Sequence, residues 1–171
     1  MICSLKAYKG IDEFVKIAGL CASHDSLKFT LILNAAQNEI DNYFIKSALP
    51  DNLTIMATQK DLHTYYKNAS LVLNLSRVDQ WVETFGLTIL EAMSYGIPVI
   101  VPPVGGPAEI VTDGKEGYLI SSYEVNTIAK KIVELSKNRD KCLELSKNAR
   151  KRSLDFSEDT FNKKILKVFH D

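Results

Sequence analysis

The stretch Leu71–Val111, LVLNLSRVDQWVETFGLTILEAMSYGIPVIVPPVGGPAEIV, decides the fold. It opens on a short apolar run, Leu71–Leu75, and passes the polar residues Ser76, Arg77, Asp79 and Gln80. A helical pattern then runs from about Thr84 to Tyr95, ended by Gly96 with Pro98 just beyond. A second apolar run, Pro98–Val101, follows at once. Strand, helix and strand at this spacing form a βαβ unit, in which the crossover helix lies on one face of a parallel sheet.

The pattern extends outward in both directions. Residues 1–3, Lys28–Leu33 (KFTLIL), Leu53–Ala57 (LTIMA) and Gly117–Ile120 bring the short buried strands to about six. Between them, Ile11, Phe14, Val15, Ala18, Cys21 and Ala22 share one helical face, and Ile128, Ala129, Ile132, Val133 and Leu135 share another. After Ile120 the chain reads as helix, with Val125–Lys137, Arg139–Arg152 and Glu158–Phe169 as the segments. The expectation is a single α/β domain over residues 1–171, with an open, doubly wound parallel sheet of Rossmann-like type that binds ligand at its strands' carboxyl ends. The first strand has no lead-in, so the sequence reads as half of something larger.

Composition narrows the function. The 171 residues are 46% hydrophobic and 25% charged, and 21 basic residues balance 21 acidic ones. With no net field to gather polyanions, nucleic acid is not an expected partner. The longest apolar run, Ile97–Val104, falls far short of the roughly 18 residues of a membrane helix, so membrane contact is expected only through a longer protein. Cys3, Cys21 and Cys142 form no Cys-x-x-Cys pair and read as reduced thiols of a cytoplasmic protein. Three Asn-x-Ser/Thr sequons, at Asn52, Asn68 and Asn74, read as chance, the last lying in or beside a buried strand. His24 and His170 read as solvated and His63 as a surface or interface residue; they make no ligand cluster, and with no Asp-x-Asp motif, neither metal nor cofactor is expected.

Neither Gly-x-Gly-x-x-Gly nor Gly-x4-Gly-Lys-Ser/Thr occurs, which disfavours dehydrogenase and P-loop readings. A helix N-terminus at the sheet edge still offers free N–H groups and a positive dipole end to a phosphate. Gly86 lies at such a start, where a missing Cβ lets a ligand approach the backbone, and the amides of Leu87 and Thr88 fall among the unpaired donors of the first turn. Two acids bracket it. Glu83 and Glu91 are eight residues apart, about 12 Å if the helix is ideal, which suits two anchors on one extended ligand better than an acid/base pair. By charge placement alone, the favoured reading is that both are solvated helix-terminal acids, with Glu83 favoured by the dipole.

The segment ETFGLTILEAMSYGIPVIVPPVGGPAEIVTDGKEGYLI, with its Glu83-x7-Glu91 spacing, resembles the donor-binding signature of retaining GT-B glycosyltransferases, most closely glycosyltransferase family 4. The match is contiguous from about Leu62 to Ile120, and weaker similarity, including YKGIDEFVKIA, covers almost the whole chain. The resemblance implies the C-terminal, donor-binding half of a two-domain GT-B enzyme, with the N-terminal acceptor domain supplied elsewhere in the protein. It implies transfer of a hexose, with retention, from a nucleotide-diphospho-sugar to an acceptor hydroxyl in glycan biosynthesis, without a metal. The isolated domain is then expected to be inactive.

By the same resemblance Glu83 contacts the transferred hexose as the catalytic residue, Glu91 contacts the ribose, and Phe85, Gly86, Leu87 and Thr88 complete the donor site. Lys9 matches the lysine that neutralises the donor diphosphate. The arginine that usually precedes it is missing, Cys3-Ser4-Leu5 standing there, so Arg77 is a candidate for the second cation. Ser76, Gly105 and Gly106 are candidates for a pocket loop, although Gly105-Gly106 between Pro103 and Pro107 reads equally well as turn chemistry. Trp81 is open between a pocket rim, an interdomain face and plain packing; Lys147–Arg152 reads as a solvated helix face, and Glu109 as structural. The missing arginine keeps a second class open, a sugar-nucleotide-binding or scaffolding module without chemistry.

Overall fold

A computed structural model describes residues 1–170, with side-chain surroundings for residues 1–166. The six strands are β1 (Ile2–Ser4), β2 (Phe29–Asn34), β3 (Leu53–Met56), β4 (Val72–Leu73), β5 (Val99–Val101) and β6 (Gly117–Leu119). The helices are α1 (Ile11–Leu20), α2 (Gln37–Phe44), α3 (His63–Asn68), α4 (Leu87–Ser94), α5 (Gly106–Ile110), α6 (Val125–Lys137), α7 (Arg139–Ser153) and α8 (Glu158–His170). Every apolar run read as a strand is one, and α6 has the boundaries its periodicity predicts.

All pairings between strands are parallel, and the strands wind outward twice, in the orders β1-β2-β3 and β4-β5-β6. This is the doubly wound arrangement, with one difference from a continuous sheet: no ladder joins β1 to β4. The facing edges of β1 and β4, each paired on its other side, leave a seam between the two sheets. Met1 and Ile2 with Val72 and Leu73 line a cavity of about 460 Å³ at one end of it. A smaller cavity, about 230 Å³, lies at the other end, where Cys3, Ser4, Asn74, Leu75 and Ser76 line it.

Successive side chains of the central strands point to opposite faces and are buried on both, as a parallel sheet covered on both sides requires. Ile100 points into a core shared with Ile11, Phe14 and Ile17 of α1, Ile128 and Ile132 of α6, and Leu31 and Leu33 of β2. Its neighbours Val99 and Val101 point the other way, against Ile89, Ala92 and Met93 of α4, Ile110 of α5 and Ala149 of α7. On α1 the buried face includes Ile17, while Ala22 lies past the helix end and is exposed. Met1, Leu31 and Leu33 pack in one cluster with Leu73 and Leu75, so a common core joins the sheets where hydrogen bonds do not.

Two expectations change at the periphery. Arg152 is not a solvated residue of its basic stretch, because its guanidinium donates to the carbonyls of Ile110 and Glu109 at 3.0 and 2.9 Å, ties α7 to the end of α5, and pairs with Asp155 at 2.9 Å. His24 is half-buried rather than solvated. The surroundings of His170 lie outside the described side chains. Asn52 is buried with its amide donating to the Ala18 carbonyl, so no glycan fits that sequon. No helix among the described residues is long and apolar enough to cross a membrane.

Candidate functional site

The smaller cavity gathers residues from three separate segments: Met1–Ser4 with Lys9, Asn74–Ser76, and Glu83 with Thr88. Met1–Ser4 lines it along the length of β1, whereas Lys9, Asn74–Ser76, Glu83 and Thr88 reach it from beyond the carboxyl ends of β1 and β4. After β1 a single 3-10 turn, Ala7–Lys9, delivers Lys9 before α1 begins, and the amide of Arg77 donates to the Tyr8 carbonyl, docking the two strand-end loops together. Lys9 and Glu83, 74 residues apart in sequence, form an ion pair at 2.6 Å on the cavity wall. Tyr8 and Trp81 stack beside it with centroids 5.4 Å apart, and the Lys9 ammonium lies 5.7 Å from the Trp81 ring. Trp81 therefore packs at the rim of the cavity, with half of its surface exposed.

The helix begins later than its periodicity predicts. Thr84 and Phe85 are loop, and α4 starts at Leu87 with Gly86 as N-cap at φ +90°. Glu83 therefore lies outside the helix, and the ideal helical rise does not set its separation from Glu91. Gly86 does not open the backbone to a ligand at its Cβ position: a Cβ there would point at Pro107, 3.1 Å from its ring. Its function is conformational, since φ of +90° disfavours every residue with a Cβ. The Gly86 carbonyl accepts from Ile89 and Leu90, no side chain caps the helix, and no acceptor is found among the described residues for the amides of Leu87 and Thr88. These two N–H groups at the positive end of α4 are free for an anion.

Gly105 and Gly106 do not line the cavity. They press on the loop that carries Glu83: the Gly106 amide donates to the Glu83 carbonyl at 2.8 Å, and a Cβ on Gly105 would come 2.6 Å from that same oxygen. Phe85 turns away as well, edge-on to Phe156 with centroids 6.2 Å apart. Glu91 lies on the exposed side of α4, outside the cavity, and accepts a hydrogen bond of 2.7 Å from the Tyr66 hydroxyl.

Arg77 is not a second cation of the cavity. Its guanidinium grips Glu13 of α1 with Nε and Nη2, each 3.1 Å from a carboxylate oxygen, and reaches Asp12 at 3.4 Å. Glu13 is buried, which explains the arrangement: a carboxylate without solvent needs a cation, and the bond to Glu13 in turn raises the Arg77 pKa. Lys9 is thus the one cationic side chain lining the cavity among the described residues. Where the resemblance leads one to expect arginine, Cys3 and Ser4 line the wall, and burial pushes the Cys3 thiol up to about 11, leaving it neutral. Ser76 lies on the same wall, buried, and its hydroxyl has no hydrogen-bond partner among the described residues. A buried hydroxyl left unsatisfied costs free energy that an incoming polar group would recover.

Sequence marks Ser4 only as standing where an arginine is expected and Asn74 only as a sequon, although both stand at the carboxyl ends of strands, where the doubly wound rule places ligands. Glu13 and Tyr66 carry no local signal; their roles come from partners 64 and 25 residues away. No group of three or more metal-ligating side chains occurs among the described residues.

An uncapped helix start thus stands beside a lysine and a carboxylate, a cradle of the kind that suits an anion, and the chain that builds it is similar to known proteins. A sucrose synthase of Denitrovibrio acetiphilus is 42% identical over 77 residues, covering 41% of this chain and 9% of its own. An uncharacterized glycosyltransferase of Methanocaldococcus jannaschii is 28% identical over 135 residues, covering 78% of this chain and 37% of its own. Among solved structures, HepE of Anabaena in complex with UDP superposes with a TM-score of 0.81 at 22% identity, over 99% of this chain and 48% of that one. The chain thus spans less than half the length of each, and its fold is that of one half of a GT-B glycosyltransferase. The sequence pattern of the family described as glycosyl transferases group 1 runs through residues 1–152, strands, cradle and both glutamates included, and the chain belongs to that family.

Proposed function

We propose that this chain binds a nucleotide-diphospho-sugar and presents its hexose, with retention, to an acceptor hydroxyl held by another domain of the whole protein. The observation that carries this reading is the convergence of the Lys9 ammonium, the Glu83 carboxylate and the unpartnered Ser76 hydroxyl on one cavity, whose lining also includes Thr88 of the uncapped α4 start. A diphosphate seated there takes hydrogen bonds from the Leu87 and Thr88 amides and from Ser76, and takes Lys9 as its counter-ion. As Lys9 turns to the phosphate, Glu83 loses its partner and accepts from a sugar hydroxyl instead. In transfer the leaving diphosphate gains negative charge while the sugar ring gains positive charge. Lys9 and the helix start stabilise the first, and the Glu83 carboxylate stabilises the second. Glu91, farther along α4, holds the ribose. This division uses the protein's own groups for charge stabilisation and needs no metal.

Calorimetry with UDP, GDP and ADP and their glucose conjugates tests the reading. Glu91→Gln is expected to weaken both diphosphate and conjugate, by about 1–3 kcal/mol for a lost charged hydrogen bond. Glu83→Gln is expected to leave the diphosphate nearly unchanged and to act only when the hexose is present. Equal losses of diphosphate in both folded variants would break the two-anchor assignment. A second reading, a binding module without chemistry, draws on the uncharged Ser4 in the place of an arginine; turnover by the whole protein decides against it and absence of turnover decides for it.

A further inference from the structure

Glu91 is exposed on α4, and a carboxylate on an open helix face ordinarily samples several rotamers. Here it is held. The Tyr66 hydroxyl donates to Glu91 Oε2 at 2.7 Å from the facing helix α3. Tyr66 is itself buried, and its ring stacks on Tyr95, centroids 5.3 Å apart and planes 24° apart. Tyr95, the residue that ends α4, is anchored in turn by a hydrogen bond between its hydroxyl and His63 Nδ1 at the start of α3. The position of the Tyr66 oxygen is therefore set from both helices by packing. None of the three residues lines the cavity of Lys9 and Glu83, and among the described residues the one hydrogen bond of the Tyr66 hydroxyl is to Glu91.

Chemistry gives the arrangement a direction. A ribose cis-diol presents two O–H donors, and a carboxylate accepts both only if its plane is turned toward the diol. Tyr66 occupies one lone-pair position on Oε2 and leaves the remaining acceptor positions free. Burial, followed by the hydrogen bond to Glu91 and its charge, pushes the Tyr66 phenol far above its ordinary range, so it stays a donor throughout the working pH. We infer that Tyr66 is a positioning residue that fixes Glu91 for the ribose diol, with Tyr95 and His63 as its support. The inference rests on the reading of Glu91 as the ribose contact.

The test is calorimetry on the 171-residue chain with whichever of UDP, GDP and ADP binds tightest, and with the 2′,3′-dideoxy analogue of that nucleotide. Tyr66→Phe keeps the ring and its stack on Tyr95 and removes only the hydroxyl; an unchanged melting temperature confirms that the fold survives. Tyr66→Phe is expected to weaken the diphosphate by about 3- to 10-fold and Glu91→Gln by about 5- to 150-fold, each leaving the dideoxy analogue within about twofold. The double variant is expected to bind no more weakly than Glu91→Gln alone, because both changes remove one interaction. If Tyr66→Phe weakens both nucleotides equally, or neither, while Glu91→Gln stays selective, the positioning role is overturned and the ribose reading stands. If Glu91→Gln is not selective, or the parent chain binds none of the three diphosphates, the ribose reading fails and takes this inference with it.

Discussion

Lys9, Glu83 and Arg77 illustrate at the scale of single residues how charge is allocated. Two cations stand near the strand ends, and one is committed to structure: Arg77 neutralises Glu13, which is 5% exposed. Arg77→Met leaves that carboxylate buried without a partner and is expected to cost about 2–4 kcal/mol in urea unfolding, with part recovered by adding Glu13→Gln. Because Arg77 is not on the cavity wall, the folded variant is expected to hold a nucleoside diphosphate within about threefold of the parent. Lys9→Met is expected to do the reverse, with a small change in melting temperature because the pair it breaks is partly exposed, and, on the proposed role of Lys9 as counter-ion, a loss of diphosphate affinity of about 10-fold or more. A large affinity loss from Arg77→Met would return that arginine to the site.

At the scale of elements, the cradle depends on two loops packed backbone to backbone. The α5 start presses on the Glu83–Phe85 loop where side chains are excluded, so Gly105, at φ +87°, answers both a conformational and a steric demand. Gly105→Ala is expected to cost about 2 kcal/mol or more and to move the Glu83 carbonyl, weakening the sugar conjugate beyond the diphosphate. Gly19 is the control. It lies on the exposed side of α1, and a Cβ there would meet nothing within 4 Å, so Gly19→Ala is expected to stabilise by about 0.5–1 kcal/mol through helix propensity. Melting temperatures moving in opposite directions check the pair.

The whole molecule has two half-sheets whose seam opens to cavities at both ends. Met1 lies beside this seam, its carbonyl accepting from Ile32 of β2 and its side chain packing in the core that the two sheets share. Function at this scale follows from what one half of a GT-B fold holds. The isolated chain is expected to bind donor with and without chelator and to transfer no sugar, because transfer needs both substrates in register. Loss of binding on adding chelator, or transfer by the chain alone at the rate of an intact family member, would overturn the corresponding expectation.

Alternation of short apolar runs with 3.6-period stretches carried the element order: it located all six strands and bounded α6 and α7 closely. The motif Glu83-x7-Glu91 was legible too, since neighbours in sequence share one loop and one helix. Local pattern determines these features because the hydrophobic period and the caps act within a few residues. Partnerships were decided elsewhere. Whether Arg77 served the cavity or Glu13, whether Gly105 and Gly106 met a sugar or the Glu83 backbone, and which hydroxyl held Glu91 all depended on groups distant in sequence. The seam between β1 and β4 is likewise invisible in the strand pattern: no ladder crosses it, and a core drawn from both sheets holds it together. Burial and pairing are properties of what packs against a residue, and only the tertiary structure brings those surfaces together.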